Sequence, residues 1–128
     1  MREEAQLWWL EANDFHAAAL ANVESGQYFM AAFVCQQALE TALKALWIVR
    51  RRELAPKKRN LVELAGGLDL PPALESHLMV INPAYMNTRY HDAANGLLSR
   101  NYDRTIAEDF IRRTGEVLAW VQSRLEPE

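Results

Sequence analysis

The stretch YFMAAFVCQQALETALKALWIV, residues 28–49, decides the fold. Its residues Tyr28, Ala32, Cys35, Leu39, Ala42, Leu46 and Val49 recur in alternating steps of four and three, which draws one long seam along an α-helix. A second apolar line, Phe33, Leu43 and Trp47, runs beside the seam, so this helix touches neighbours on more than one side and takes a central place. Gln36, Gln37, Glu40 and Lys44 interrupt the apolar run. Charge near a bilayer centre is costly, so the stretch reads as the core helix of a globular protein and not as a membrane span.

On the N-terminal side, Trp8, Ala12, Phe15 and Ala19 lie at steps of four, three and four and align on the buried face of a helix over 3–23. Gly26 stops that helix, and the very short connection to the central one makes an antiparallel hairpin. Adjacent helical residues diverge by about 100°, which assigns Trp8 to the core and leaves Trp9 for a groove or a dimer contact. On the C-terminal side, Pro56 blocks continuation, and Asn60 caps a short helix carrying Leu61, Leu64 and Ala65 that ends at Gly66-Gly67. Pro71 and Pro72 open another helix with Leu74, Leu78 and Ile81 on its apolar face, and Pro83 disturbs or ends it.

From Asn82 to Tyr102 the period is lost, which predicts mostly loop with one helical turn. The last helix opens near Asp103 or Thr105, where Thr105 and Glu108 have capping-box spacing, and its stripe runs Ile106, Phe110, Val117, Val121 and Leu125. There is no strand-like alternation and no internal repeat. The expectation is an all-α, up-and-down helical bundle of about four principal helices plus one or two short ones, with residues 1–128 forming a single domain.

Composition agrees with this: of 128 residues half are apolar and 24% charged, far from the signature of a disordered chain. The net charge of −3 conceals a basic run of Arg50, Arg51, Arg52, Lys57, Lys58 and Arg59, six of the fourteen basic residues. Such a run can attract phosphates. It equally complements a helix C-terminus and solvates the turn, and no aromatic residue interleaves with it in sequence as a stacking platform would require. Cys35, flanked by Ala31, Ala32, Val34 and Ala38, reads as core and not as a nucleophile. His16, His77 and His91 lack metal-ligand spacing, so neither a metal nor a cofactor is implied. The opening Arg2, Glu3 and Glu4 lacks the basic-then-apolar order of a secretory signal, which makes the cytoplasm the expected location.

Three segments together resemble the HEPN domain family (higher eukaryotes and prokaryotes nucleotide-binding domain) over nearly the whole chain. The first is Ala12-Asn13-Asp14-Phe15 followed by residues 26–33, GQYFMAAF; the second is Gln36-Gln37-Ala38-Leu39-Glu40 with Leu43-Lys44-Ala45-Leu46. The third is Tyr85, Arg89-Tyr90-His91-Asp92, Tyr102 and the terminal Val117-Leu118-Ala119-Trp120-Val121. The resemblance implies a helical bundle that forms a homodimer, works with RNA or a nucleotide, and is encoded beside a small nucleotidyltransferase partner in a toxin–antitoxin pair. It also implies ribonuclease activity in those members that carry an arginine and a histidine separated by four to six residues. This sequence lacks that spacing: only Tyr90 separates Arg89 from His91. The Arg-Tyr-His-Asp run is similar to the Arg-Tyr-Pro-Asp of another branch, and Arg59 stands where many relatives have a histidine.

Two functional classes follow, an interaction or nucleotide-binding module and a metal-independent endoribonuclease, with a structural dimer without ligand as a third. Cleavage needs a base for the ribose 2′-hydroxyl and a cation for the phosphorane, roles that His91 and Arg89 would fill, with Tyr85, Tyr90 or Tyr102 stacking on a base. In the bland alternative Arg89 and Asp92 tie the loop to its neighbours, and the tyrosines bury their rings. Glu40 and Lys44 share a face of the central helix with Gln37. They form either a simple intrahelical pair or, set against Arg89 or Asp92, a cleft that positions a nucleotide phosphate or fixes the loop.

Overall fold

The computed structural model describes residues 2–87 and 100–125. Among these it contains no strand and six helices: α1 (Glu3–Glu24), α2 (Tyr28–Arg51), α3 (Leu61–Ala65), α4 (Pro72–Ile81), α5 (Ala84–Asn87) and α6 (Arg104–Leu125). The α1–α2 turn is a Schellman motif. Gly26 takes φ +78°, Gln27 N–H reaches Asn22 O at 2.7 Å and Gly26 N–H reaches Val23 O at 3.0 Å, so the last carbonyls of α1 are satisfied and the chain reverses. α4 runs back along α2: Arg50, at the end of α2, reaches Leu68 O before α4 begins, whereas Asn82, at the end of α4, lies beside Leu61. α6 then runs parallel to α2, with Tyr28 against Arg104 and Cys35 against Thr114. The result is the up-and-down bundle expected from the periodicity.

α2 is the axis of the molecule. From Val34 to Leu46 only Gln37 is not buried, because α1, α3, α4, α5 and α6 all pack on this helix. Ala5, Ala12 and Ala19 on α1, and Ala31, Ala32, Ala38, Ala42 and Ala45 on α2, have no exposed surface; small side chains let helices approach closely. The larger volume is filled by Leu39, Leu43, Leu46, Leu61, Leu64, Leu68, Leu78, Ile81, Val117 and Val121, all fully buried. Each such side chain contributes about 1.5–3 kcal/mol on leaving water.

Local signals place the short elements. Asn60 accepts from Glu63 N–H at 3.1 Å, and Asn82 accepts from Leu61 N–H at 2.8 Å, so two asparagine side chains cap α3 and the second ties it to α4. Pro71 is the N-cap of α4 and Pro72 its first helical residue, where a missing N–H costs nothing. Within the stretch 82–102, expected to be mostly loop with one helical turn, α5 is a helical turn at Ala84–Asn87, and residues 88–99 lie outside the described residues.

Three expectations are corrected. Ile106 is 38% exposed, because the buried stripe of α6 is centred on Ala107, Phe110, Thr114, Val117, Leu118 and Val121, which turns Ile106 off its edge. Thr105 is inside the helix and makes no capping box; Asp103 caps instead, accepting from Ile106 N–H at 2.8 Å. Trp8 and Trp9 are both half-buried, so the indoles do not divide into one core ring and one surface ring. Asp103→Ala is therefore expected to destabilise the protein by about 1 kcal/mol and Thr105→Ala by a few tenths of a kcal/mol, read from urea unfolding midpoints; the reverse order would restore the capping box.

Candidate functional site

The polar residues that interrupt the apolar run of α2 do not reach solvent. Glu40 and Lys44 are 5% and 7% exposed, and their ion pair, Nζ to Oε2, measures 3.0 Å. Burying two charges is tolerated only when each finds compensation. Lys44 finds it in Trp8 of α1, whose ring centroid is 5.3 Å from Nζ. The second carboxylate oxygen, Oε1, has no hydrogen-bond partner, but the Arg59 guanidinium lies 3.5 Å away as an ion pair. Arg59 in turn sits over the ring of Tyr85 in α5, 4.9 Å from its centroid, and its backbone carbonyl accepts from Gln36 Nε2 at 3.0 Å. Gln37 donates to Gln36 Oε1 at 2.7 Å and completes the polar layer. Trp8, Lys44, Glu40, Arg59 and Tyr85 thus form one continuous line from α1 to α5.

This line has a closed end and an open end. Lys44 is enclosed, whereas half of the Arg59 side chain is in solvent, next to the exposed Lys57 and Lys58. Two others of the basic run are occupied elsewhere: Arg50 reaches Leu68 O at 3.4 Å and Asp69 at 3.7 Å, and Arg51 lies over Trp47 at 4.6 Å. Gly67, at φ +83°, passes directly under the Arg51 guanidinium, where a Cβ would collide.

A family model, the HEPN domain, matches residues 5–124. The chain belongs to the HEPN domain family. The crystal structure of TT1696 from Thermus thermophilus superposes on this HEPN domain with a TM-score of 0.88 at 30% identity, covering 97% of this chain and 100% of that one. The crystal structure of ST0689, an archaeal HEPN homologue, gives 0.82 at 24% identity, covers 98% and 100% of the two chains, and speaks for the fold alone. No curated protein matches the sequence.

Of the residues singled out from sequence, the HEPN domain brings Glu40, Lys44 and Tyr85 together through Arg59. Tyr102 is buried, its ring edge-on to Phe110 at a centroid distance of 6.2 Å, so it packs in the core and does not offer a stacking face. Arg89, Tyr90, His91 and Asp92 lie outside the described residues. Cys35 is fully buried, and desolvation pushes its thiol up to about 12, the opposite of an activated nucleophile. No helix among the described residues is long and apolar enough to cross a membrane, and no three potential metal ligands among them come together.

Sequence reasoning missed a second polar assembly, a closed ring of five side chains joining α4 to α6. His77 Nε2 is 2.7 Å from Glu116, Glu116 is 2.8 Å from Arg112, Arg112 is 2.9 Å from Asp109, Asp109 is 2.7 Å from Arg113, and Arg113 returns to His77 Nδ1 at 3.0 Å. A guanidinium only donates, so Nδ1 is the acceptor and Nε2 donates to Glu116. Both imidazole nitrogens are used, which leaves His77 no atom for a substrate. Its signal in the sequence was weak: the i,i+3 and i,i+4 spacings of Asp109, Arg112, Arg113 and Glu116 are visible, but their link to His77 depends on how α4 docks.

Lys44→Met is expected to destabilise the protein by about 3 kcal/mol by leaving Glu40 only its longer ion pair with Arg59, and Glu40→Leu/Lys44→Met to recover most of that, in urea unfolding; a loss under about 1 kcal/mol for the single variant would mean that Arg59 or water already compensates the carboxylate. In the ring, hydrogen bonding by Arg113 and then Arg112 holds Asp109 below its ordinary 3.8, and hydrogen bonding by His77 and then Arg112 holds Glu116 below its ordinary 4.5. Their stabilising contribution is thus present above those ordinary values and is lost as pH falls through the lower, folded ones. Carboxyl NMR titration should show both midpoints depressed, and Arg113→Ala should move that of Asp109 back up.

Proposed function

We propose that this HEPN domain is a nucleotide- or RNA-associated interaction module, that it acts as a homodimer over residues 1–128, and that it works with a small nucleotidyltransferase in a pair of toxin–antitoxin type. The observation that carries the reading is the Arg59–Tyr85 pair: a half-exposed guanidinium braced over an aromatic ring and against a buried carboxylate, with two exposed lysines beside it. A guanidinium offers paired donors to phosphate, and an aromatic face accepts a base of any identity. Glu40 and Lys44 act from within by fixing Arg59, and Arg89, His91, Tyr90 and Asp92 belong to the segment that follows α5.

The reading is tested by fluorescence anisotropy with labelled single-stranded RNA and by calorimetry with ATP, comparing the wild type with Arg59→Ala and Tyr85→Ala. Binding that weakens about tenfold or more in each variant, and falls with salt, is the expected result. Wild-type affinity in both variants would remove this surface from the function. Incubating the same RNA without metal separates the enzymatic alternative: cleavage lost in Arg89→Ala and His91→Ala would make the chain a ribonuclease. Recovery of a small nucleotidyltransferase on the tagged chain from its native host tests the partner.

A further inference from the structure

α1 carries Glu3, Glu4, Glu11, Asp14 and Glu24 and no lysine or arginine. On one edge of it, Glu4, Leu7, Trp8 and Glu11 line an open groove of about 270 Å³, and no described residue of another element lines it. Its apolar floor is unusually exposed, since Leu7 has 61% of its surface in water and the adjoining Leu10 53%. The two carboxylates stand two helical turns apart, about 10 Å along the axis, at either end of that floor. Glu4 meets only Arg2, in an exposed pair at 3.5 Å, and Glu11 has no ion-pair partner among the described residues. Trp8 attracts cations, as its contact with Lys44 shows.

The complement of this groove is on the same chain. Among the described residues Leu54 is the most exposed large hydrophobic one, at 75%, and it lies in the connection between α2 and α3. In the same connection, within four residues of it in sequence, are Arg52, Lys57 and Lys58, exposed and without an ion-pair partner among the described residues, whereas Arg50, Arg51 and Arg59 are already engaged. A leucine flanked by cations fits a leucine–indole floor flanked by carboxylates. α1 and α2 are antiparallel, so the groove at the start of α1 and the knob after the end of α2 lie at the same end of the bundle. A two-fold axis there would place the knob of each copy in the groove of the other, which closes the assembly at two chains.

We propose that the occupant of the groove is a second copy of this chain, with Leu54 of each copy seated on Leu7 and Trp8 of the other, and with Lys57 and Lys58 facing Glu4 and Glu11. This rests on the homodimer of the proposed function and deepens it by naming the contact. Apolar contact supplies the affinity, while the opposed charges set orientation and make association weaken with salt.

Sedimentation velocity on charge-swapped variants tests this without depending on the nucleic-acid reading. Glu4→Lys/Glu11→Lys and Lys57→Glu/Lys58→Glu each set like charges face to face, so each alone is expected to dimerise at least about tenfold more weakly than the wild type, and Leu54→Asp likewise. Mixing the two charge variants restores both contacts, and the mixture is expected to sediment as a heterodimer. These residues are exposed, so circular dichroism should show an intact fold in every variant. A dimer that persists in all three variants would place the interface on another face and overturn this contact while leaving the homodimer standing. A wild-type chain that stays monomeric at high concentration would overturn both, and a mixture no more associated than its parts would overturn the charge pairing.

Discussion

The structure depends on one constraint: α2 is enclosed almost all round, yet it carries a glutamate and a lysine in the enclosed part. A helix in that position obtains its stability from small residues that let α1 close on it and from leucines that fill the space toward α3, α4 and α6. Neither device serves a charge. Glu40 and Lys44 must therefore bring in outside groups, and the groups they bring, Trp8 from α1 and Arg59 from the α2–α3 connection, come from two different parts of the chain. A buried ion pair adds little net stability against an apolar pair of similar volume. What it does here is define where the connection after α2 must lie, since Arg59 is fixed by its carbonyl on Gln36, by its guanidinium beside Glu40 and by Tyr85 below it.

That fixation separates two kinds of basic residue within one run. Arg50 and Arg51 are structural: one satisfies a loop carbonyl, and the other covers an indole and lies over Gly67, whose φ of +83° favours glycine. Lys57, Lys58 and Arg52 are solvated. Arg59 is intermediate, held like the first group but open like the second. A cation whose side-chain freedom is already restricted loses less on binding an anion than a free lysine does, which is why the reading of the site rests on Arg59 more than on the net charge of the run.

Most of the fold was legible because its signals are local or periodic. The steps of four and three along residues 28–49, Gly26 as a stop, Asn60 as a cap and Pro71-Pro72 as a start each act within one or two turns, and each element lies where they put it. The misreadings came from edges and from ties between elements. Ile106 fits a step of four from Phe110, but a stripe read from one end of a helix does not show where its centre lies. Thr105 has the spacing of a capping box, and Asp103, two residues earlier, reaches the free N–H groups first. In the site, Glu40 with Lys44 was readable as an i,i+4 pair, whereas Arg59 over Tyr85 and His77 with Arg113 join residues 26 and 36 positions apart and exist only once helices have docked.

The two polar assemblies also show why a histidine and an arginine in contact do not make a catalytic pair. Arg113 meets His77 at hydrogen-bond distance, but Glu116 takes the other nitrogen and Asp109 takes Arg113. Every donor that the ring turns toward α4 is matched by an acceptor, so its chemistry ends in holding α4 on α6. At Arg59 the matching is incomplete: one neighbour is a ring face, the other a carboxylate oxygen at ion-pair distance without a hydrogen bond, and half of the side chain remains in water. Unspent donor capacity on a braced cation distinguishes a group that can take a ligand from one that only closes a fold. By that criterion Arg59, beside Tyr85 and Glu40, is the cation with capacity left for a ligand, and the imidazole between α4 and α6 belongs to the scaffold.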